Sequence, residues 1–295
     1  MVRRVIFLIC GVLLWNPTLA SLQTYALMGD AGYWNQNTRA LRDHLMNQNI
    51  YNLVMPGDNL YELHHLSYKE AWDPWRIFNF KFDVVAIGNH NLGYQKEMDY
   101  FNLPGTYFKK QFGKTVFLVL NSDDKTNVSA QQAWIENELT QINDELVFVM
   151  FHHPPVTVSN RHKWEESKGF HLVILPTVLL YRSKIQALIV GHDHIASLHT
   201  LDDFPVIVAG ATSNPIPTRP KNYVNKRGHF VQTRYLSTQG VYWVRLDINA
   251  KTRESWFNFV NITKNKVHCS ALIHDQSLFL KQNCTDSLTR AVFEN

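Results

Sequence analysis

The chain contains a series of short apolar segments in which hydrophobic residues run continuously instead of alternating with polar ones. Each segment is rich in Val, Ile, Leu or Phe and is bounded by turn-forming residues. The segments are TYALM (24–28), YNLVM (51–55), DVVAI (83–87), TVFLVL (115–120), LVFVMF (146–151), ALIV (187–190) and PVIVA (205–209). Continuous apolar strands are typical of sheets covered on both faces, so this pattern predicts an α/β protein.

Helical patterns lie between several of these segments. Residues 38–48 and 130–142 have the spacing of amphipathic helices, and Ser129 is a suitable N-cap for the second. Residues 170–181 form the most apolar internal stretch, which is too short to span a bilayer and is interpreted as a buried helix. After Gly240 two apolar segments, GVYWVRLDI and SWFNFV, flank a turn and predict a β-hairpin. The order of elements is therefore βαβ-like.

Length and composition indicate a globular protein. Of the 295 residues, 45% are hydrophobic and 18% are charged, which fits one large domain or two small ones. Because the chain contains no repeat, low-complexity tract or linker, we expect residues 21–295 to form a single domain. The formal net charge of +4 falls to about +2 if Arg3 and Arg4 are removed with an N-terminal signal, which is too weak to indicate a nucleic-acid partner.

Residues 1–20 have the features of a secretory signal peptide. A basic start precedes an apolar stretch of about eleven residues and a small residue, Ala20, at a plausible cleavage point. We therefore expect a protein that is secreted or held within the secretory or lysosomal pathway, periplasmic if bacterial, with no stable membrane span after signal removal. An uncleaved membrane anchor is the alternative, although the stretch is shorter than the ~20 residues that span a bilayer.

Removal of the signal would take Cys10 with it and leave Cys269 and Cys284. In an oxidising compartment this pair could form a disulfide that contributes on the order of 3 kcal/mol, and two separate thiols are the alternative. Three N-glycosylation acceptor patterns begin at Asn127, Asn261 and Asn283. These patterns suit a secreted glycoprotein.

Residues of the kinds that bind metals follow five of the apolar segments. The blocks are GDAG with Asp30, GDNLY with Asp58 and Tyr61, GNHN with Asn89 and His90, FHHPP with His152 and His153, and GHDH with His192 and His194. Each block alone is more simply interpreted as a turn between two elements. In open α/β sheets, however, ligands bind beyond the carboxyl ends of the strands, so the five blocks can converge. Their oxygen and nitrogen donors suit iron, zinc or manganese, and the lack of thiols argues against a structural zinc cluster.

The ordered blocks GD, GDN, GNH, HHP and GHDH resemble those of the calcineurin-like metallophosphoesterase superfamily. Within it, GDAG as the first block and a tyrosine three residues after the second aspartate resemble the purple acid phosphatases, in particular their small, tartrate-resistant type. The likeness extends from about Thr24 to Ile248. It implies a metallophosphoesterase catalytic domain with an α/β fold: a four-layer αββα sandwich of two mixed sheets flanked by helices.

The resemblance also implies a dinuclear metal centre with Fe(III) and a divalent ion, which would be Fe, Zn or Mn. The implied ligands are Asp30, Tyr61 and His194 on the ferric ion, Asn89, His152 and His192 on the divalent ion, and Asp58 as the bridge. An anionic phenolate and carboxylates suit a hard trivalent ion, whereas neutral Asn and His leave the second ion more electrophilic.

The implied reaction is acid hydrolysis of a phosphate monoester by metal-bound hydroxide. His90 would contact the phosphate or protonate the leaving alkoxide. His153 would orient a ligand or the substrate, and simple loop packing is its alternative role. His162, in NRHKWEE, lies within one position of a substrate-side histidine of the family.

One residue departs from the family pattern. The family usually has GNHD or GNHE where this chain has Asn91. In the family that carboxylate supports the adjacent histidine, so a neutral amide is expected to make His90 a weaker acid partner and to alter the rate or its pH optimum.

Two other functions remain open from the sequence. A phosphodiesterase or nucleotide pyrophosphatase could use the same metals, because substrate choice lies in loops such as 62–78 and 214–237. Alternatively, the fold could serve as a catalytically weak binding or anchoring protein, as in the glideosome-associated membrane anchor. All the implied ligand positions are present, which favours catalysis, and the oligomeric state stays unknown.

Overall fold

The computed structural model describes residues 22–62, 65–159, 161–216, 231–237, 240–281 and 284. The signal peptide predicted for residues 1–20, the acceptor pattern at Asn283 and much of the loop 214–237 lie outside this part.

Two mixed sheets of seven strands each form the centre of the fold. The first has the order β14-β13-β12-β11-β1-β2-β3. Its strands are β1 (Gln23–Leu27), β2 (Asn52–Met55), β3 (Lys81–Val85), β11 (Tyr242–Asn249), β12 (Glu254–Asn261), β13 (Lys266–His274) and β14 (Ser277–Leu280). Strands β1, β2 and β3 are parallel, and β11 to β14 extend the sheet as an antiparallel meander.

The second sheet has the order β10-β8-β9-β7-β6-β5-β4. Its strands are β4 (Phe108–Phe112), β5 (Thr115–Val119), β6 (Leu146–Met150), β7 (Ile185–Val190), β8 (Ala196–Leu201), β9 (Phe204–Ala209) and β10 (Val231–Leu236). Strands β5, β6, β7 and β9 are parallel, and the other three pair antiparallel.

Helices cover the outer face of each sheet. They are α1 (Gln36–Asn47), α2 (Tyr68–Arg76), α3 (Tyr94–Phe101), α4 (Val128–Gln141) and α5 (Lys168–Leu180), with 3₁₀ turns at Trp164–Ser167 and Arg182–Lys184. One apolar cluster fills the space between the sheets, a second joins α4 and α5 to one sheet, and a third joins α1, α2 and α3 to the other. The result is the predicted four-layer αββα arrangement.

Local sequence signals explain where several of these helices begin. The Asn35 side chain accepts a hydrogen bond from the Thr38 amide at the start of α1. At the start of α2, Ser67 and Glu70 cap each other's backbone amides, which is the reciprocal arrangement of a capping box. No helix in the described part of the chain is long and apolar enough to cross a membrane.

The seven predicted strands are confirmed as β1, β2, β3, β5, β6, β7 and β9, and the predicted hairpin as β11 and β12. The buried helix at 170–181 is confirmed as α5, except that one face leaves Leu172 and Leu180 exposed. Strands β4, β8, β10, β13 and β14 and helices α2 and α3 were not predicted. In β4 the sequence FKKQF has three polar residues between two phenylalanines, and the strand lies at a sheet edge, where lysines protect it from pairing.

The predicted disulfide between Cys269 and Cys284 is confirmed. The acceptor pattern at Asn261 does not suit a glycan in this fold, because the side chain of Asn261 is buried and accepts a hydrogen bond from the Lys264 amide. Asn127, in contrast, lies at the exposed start of α4.

Glu97 on α3 links two helices to the loop after β2. Its buried carboxyl accepts hydrogen bonds from Asn59 Nδ2 at 2.6 Å and from the Tyr68 hydroxyl at 3.1 Å. Burial raises the pKa of Glu97 to about 8. The folded protein therefore holds a proton that the unfolded chain releases near pH 4.5, so this group costs stability increasingly as pH rises from about 4.5 to about 8.

Glu97→Gln is expected to remove this pH-dependent loss, because the neutral side chain keeps an oxygen that can accept from Asn59 and has an NH₂ group that can donate to the Tyr68 hydroxyl oxygen. The variant should be more stable than the wild type near pH 8, by up to a few kcal/mol at about 1.4 kcal/mol per pKa unit, and nearly equal to it below pH 5. Urea unfolding of the metal-free proteins across this range measures the difference. Glu136→Gln, on the exposed face of α4, is the control, and parallel curves for Glu97→Gln and wild type would contradict the expectation.

Candidate metal centre

The candidate ligands all follow the carboxyl ends of central strands. Asp30 follows β1, Asp58 and Tyr61 follow β2, and Asn89 follows β3 of the first sheet. His152 follows β6, and His192 and His194 follow β7 of the second sheet. The sandwich brings these two sheet edges together, so residues separated by more than 100 positions in sequence come within hydrogen-bonding distance.

The backbone at these strand ends is sharply turned. Asp30, Asp58, His192 and His194 have φ angles of 55°, 54°, 67° and 53°, in the left-handed region. This conformation costs a non-glycine residue roughly 1 kcal/mol or more, and such residues concentrate at functional sites. The turns direct four of the seven candidate side chains into one region.

Glycines leave the space that two of the carboxylates occupy. A Cβ atom at Gly88 would lie 2.1 Å from Asp58 Oδ1, and one at Gly210 would lie 2.5 Å from Asp30 Oδ2. Both separations are far below van der Waals contact. The glycines of the strand ends are therefore required by close packing around the carboxylates.

Tyr61, Asp30 and His194 form one group of donor atoms. The Tyr61 hydroxyl lies 3.1 Å from His194 Nε2 and 3.3 Å from Asp30 Oδ1, and His194 Nε2 lies 3.7 Å from Asp30 Oδ1. All three side chains are buried. Tyr33 stacks on the ring of Tyr61, with 3.8 Å between centroids, and holds it in place.

A second group is centred on His152 Nε2. This atom lies 3.1 Å from Asn89 Oδ1, 3.2 Å from Asp58 Oδ1 and 3.2 Å from His192 Nδ1. Two donors that each bind one ion at about 2.1 Å, in roughly tetrahedral directions, are about 3.4 Å apart. The spacing in both groups therefore fits a bound cation.

Each of the three candidate histidine ligands has an acceptor at its other ring nitrogen. His152 Nδ1 lies 2.9 Å from the Pro56 carbonyl oxygen, and His194 Nδ1 lies 2.8 Å from that of Asn214. His192 Nε2 lies 2.7 Å from a carboxylate oxygen of Glu166. In the neutral rings these contacts place the proton on the outer nitrogen and leave a lone pair on the inward one, which is the arrangement of metal-binding histidines.

The charges in the site also favour a cation. Burial, with the nearby charge of Asp58, raises the pKa of Asp30 well above its ordinary value. Burial alone would do the same to Asp58, but the charge and hydrogen bond of His152 outweigh it and lower the pKa of Asp58. The pKa of His152, which burial would lower, is raised to about 9 mainly by Asp58. The ionised form of one buried carboxyl thus disfavours ionisation of the other, and a multivalent cation would stabilise both in the ionised form.

Two buried atoms in the site lack hydrogen-bond partners among the described residues. Asp30 Oδ2 accepts no hydrogen bond from these residues, and His162 Nε2 makes no hydrogen bond with them. A buried carboxylate oxygen without a partner is costly unless it binds a cation. The residues present therefore fit a dinuclear metal site.

The three candidate catalytic histidines lie around these groups. The half-buried His90 has its ring 4.7 Å from that of Tyr61, and its amide donates to Asp58 Oδ1. His153 is buried, and its ring packs 4.3 Å from that of His192. His162 lies later in the same connection as His153, between β6 and the turn Trp164–Ser167, and its ring is 4.1 Å from that of His192. All three sequence candidates are thus brought to the site.

Asn91 contacts the backbone of its own loop. Its Nδ2 donates to the Gly88 carbonyl oxygen at 2.9 Å, and its Oδ1 accepts from the Gly93 amide at 2.8 Å. The amide therefore stabilises the turn that carries Asn89 and His90. A carboxylate at this position would lose the bond to Gly88, and the effect of Asn91 on proton transfer by His90 stays a prediction.

Three residues of the site were not identified from the sequence. Tyr33 lies three residues after Asp30, Ser122 follows β5 and bonds His153 Nδ1 at 2.8 Å, and Glu166 bonds His192. Ser122 had a signal, because it also follows a predicted strand. Glu166 had none, because it lies in the turn Trp164–Ser167, well beyond the end of β6 and not directly after a strand.

Residues 24–196, more than half of the chain, match the family model of the calcineurin-like phosphoesterase. No curated protein matches the chain.

Similar solved structures have low sequence identity to this chain. Purple acid phosphatase PPD1 from yellow lupin (Lupinus luteus) seeds aligns with 13% identity and a TM-score of 0.70, over 87% of this chain and 55% of that one. GAP50, the anchor in the inner membrane complex of Plasmodium, aligns with 12% identity and a TM-score of 0.65, over 86% and 89%. A dimetal phosphatase from Danio rerio aligns with 12% identity and a TM-score of 0.52, over 87% and 98%. At these identities the likeness shows a common fold alone.

Proposed function

The chain belongs to the calcineurin-like phosphoesterase family, and on that premise we propose that it is an acid phosphatase that hydrolyses phosphate monoesters. The observation that carries this proposal is the position of Tyr61, whose hydroxyl lies within 3.3 Å of both Asp30 and His194. A phenolate beside a carboxylate is a donor set for a hard trivalent ion, so the first group would hold Fe(III). The second group would hold divalent Fe, Zn or Mn.

The proposed ligands divide into the two groups described above. Asp30, Tyr61 and His194 would bind the ferric ion, Asn89, His152 and His192 the divalent ion, and Asp58 would bridge them. Burial and the charges of Asp58 and Asp30 raise the pKa of Tyr61 well above its ordinary value. Without a bound cation the phenol therefore keeps its proton.

The two metal ions, when bound, would supply Lewis acidity toward the phosphoryl oxygens and an activated water nucleophile at acidic pH. The protein supplies orientation and protons. His162 Nε2, which has no partner in the described part, would donate to a phosphoryl oxygen when the ring is doubly protonated, since Nδ1 donates to Glu166. As the bond from water oxygen to phosphorus forms and the ester bond breaks, His90 would give its proton to the leaving alkoxide. His153, fixed by Ser122, would hold the ring of His192 in place.

The proposed compartment is the secretory or lysosomal pathway, or the periplasm if the source is bacterial. The disulfide between Cys269 and Cys284 supports an oxidising compartment. The likeness to GAP50 leaves an anchoring role as the alternative, since the two chains have the same fold. The complete donor set, with a buried Asp30 oxygen that has no hydrogen-bond partner among the described residues, favours catalysis.

The visible spectrum and metal content of the purified protein test the iron assignment. We expect a purple protein with iron in it, because a phenolate bound to Fe(III) absorbs visible light. Tyr61→Phe should lose the colour, whereas Tyr107→Phe, which changes a tyrosine packed on Trp134 away from the site, should keep it. A colourless wild-type protein containing only zinc would contradict the purple acid phosphatase assignment and leave the family membership intact.

Substrate class is tested separately with nitrophenyl esters. Turnover of p-nitrophenyl phosphate should exceed that of bis(p-nitrophenyl) phosphate at acidic pH if the protein is a monoesterase. Faster turnover of the diester would favour a phosphodiesterase on the same metals. Turnover of neither ester by the metal-loaded protein would favour a binding role.

A further inference from the structure

Glu166 joins two histidines of the site with one carboxylate oxygen. Its Oε2 atom lies 2.7 Å from His192 Nε2 and 3.2 Å from His162 Nδ1. His192 is a proposed ligand of the divalent ion, and His162 is a proposed substrate contact. One side chain from outside both donor groups therefore contacts a metal ligand and a substrate residue together.

The backbone and its neighbours hold the Glu166 carboxylate in this position. Its other oxygen, Oε1, accepts a hydrogen bond from the Lys163 amide at 2.9 Å, so both oxygens are engaged. The next residue, Ser167, donates from its hydroxyl to the Ser122 carbonyl oxygen at 2.7 Å. The turn Trp164–Ser167 is thus hydrogen-bonded both to its own loop and to the segment that follows β5.

The environment of His192 differs from that of the other two histidine ligands. His152 and His194 direct their outer nitrogens at the carbonyl oxygens of Pro56 and Asn214, which are neutral parts of the backbone. His192 is oriented by an ionised side chain on a separate loop. A charged acceptor strengthens the hydrogen bond and raises the basicity of the inward nitrogen.

We propose that Glu166 is a positioning residue that fixes the His192 ring with Nδ1 toward the second donor group and couples that ligand to the substrate-side His162. This proposal rests on the dinuclear centre described under the proposed function. Its consequence is that retention of the divalent ion depends on the turn Trp164–Ser167, whereas retention of the ion held by Tyr61 does not. Outer-shell carboxylates of this kind change metal affinity by about 10- to 100-fold when they are removed.

Metal binding by the purified protein tests this proposal without the need for activity. Zn²⁺ is titrated into the protein, stripped of its more weakly held ion, in competition with a chromophoric chelator. Glu166→Ala should weaken binding at one site by about 10- to 100-fold and leave the other ion in place. Glu166→Gln, whose amide oxygen can still accept from His192, should restore most of the affinity. The control is Glu165→Ala, which removes the neighbouring exposed glutamate and should have no effect.

A second measurement separates positioning from a loss of folding. Histidine side-chain ¹⁵N spectra of protein in which diamagnetic Zn²⁺ fills both sites should show His192 with its proton on Nε2 in the wild type and in Glu166→Gln. In Glu166→Ala that signal should shift or broaden, while the signals of His152 and His194 stay in place.

Three outcomes would overturn the proposal, and they can be told apart. Equal zinc affinity in Glu166→Ala and wild type, with two ions bound to each, would exclude the positioning role and leave the dinuclear centre standing. A wild-type protein that binds fewer than two ions would overturn the proposed function along with the role of Glu166. Equal weakening at both sites in Glu166→Ala would indicate a general structural role instead.

Discussion

Replacing Asp58 with asparagine is expected to reduce kcat by about a thousandfold or more, equivalent to a loss of at least about 4 kcal/mol in transition-state stabilisation. Asp58 lies 3.2 Å from His152 Nε2 and is the proposed bridge between the two donor groups. Asparagine has nearly the same shape, and its oxygen can still accept from the His90 amide, so the fold should persist. The negative charge that would join two cations is lost.

Metal content and turnover of the same preparation measure this effect. Asp58→Asn should retain one ion or none, and its spectrum should differ from that of the wild type. Asp247→Asn is the matched control, because Asp247 is also largely buried but bonds Thr24 and Arg245, on β1 and β11, away from the site. Full activity of Asp58→Asn with two ions bound would refute its assignment as the bridge.

Replacing Gly88 with alanine is the second change with a large expected effect. The new Cβ atom would lie 2.1 Å from Asp58 Oδ1 and 2.3 Å from the Asp58 amide nitrogen, so the backbone or the carboxylate must move. Overpacking of this kind costs about 1–3 kcal/mol of stability, and a shift of about 1 Å in a catalytic group costs about 100-fold in rate. We expect both losses in Gly88→Ala.

Gly169→Ala is the control for Gly88→Ala. Gly169 lies in α5, where an added Cβ atom meets no atom within 4 Å, and alanine favours a helix over glycine by about 1 kcal/mol. This variant should be as stable as the wild type or more so, with unchanged kcat. Thermal unfolding and kcat for both variants complete the test, and a Gly88→Ala protein with wild-type turnover would show that the carboxylate position is not critical.

The central part of the fold was predictable because its signal is local. Continuous apolar runs such as LVFVMF identify β6 and its neighbours, since a strand buried on both faces cannot carry polar residues. The capping box of Ser67 and Glu70 also marks the start of α2, although this helix was not predicted. Edge strands such as β4 lack a continuous apolar run, because a strand at a sheet edge is less covered by the core and can carry polar residues such as Lys109 and Lys110.

The candidate ligands were predictable from residue type and position at the strand ends. In four of the five blocks, a glycine and then Asp, Asn or His come directly after an apolar strand, and this pattern locates the ligands. The residues that orient those ligands were not predictable in the same way. Tyr33 and Glu166 act through ring stacking and hydrogen bonding across loops, and no spacing in the sequence connects Glu166 with His192.

The strands and the chemical types at their ends follow from local sequence, because burial and turn chemistry act over a few neighbouring residues. Which of these residues come into contact depends instead on how distant elements pack. Tyr61 and His194 are 133 positions apart and lie on loops of different sheets, yet their polar atoms are separated by 3.1 Å. That contact depends on packing one sheet against the other through their apolar faces, and packing between distant elements leaves no local pattern in the chain.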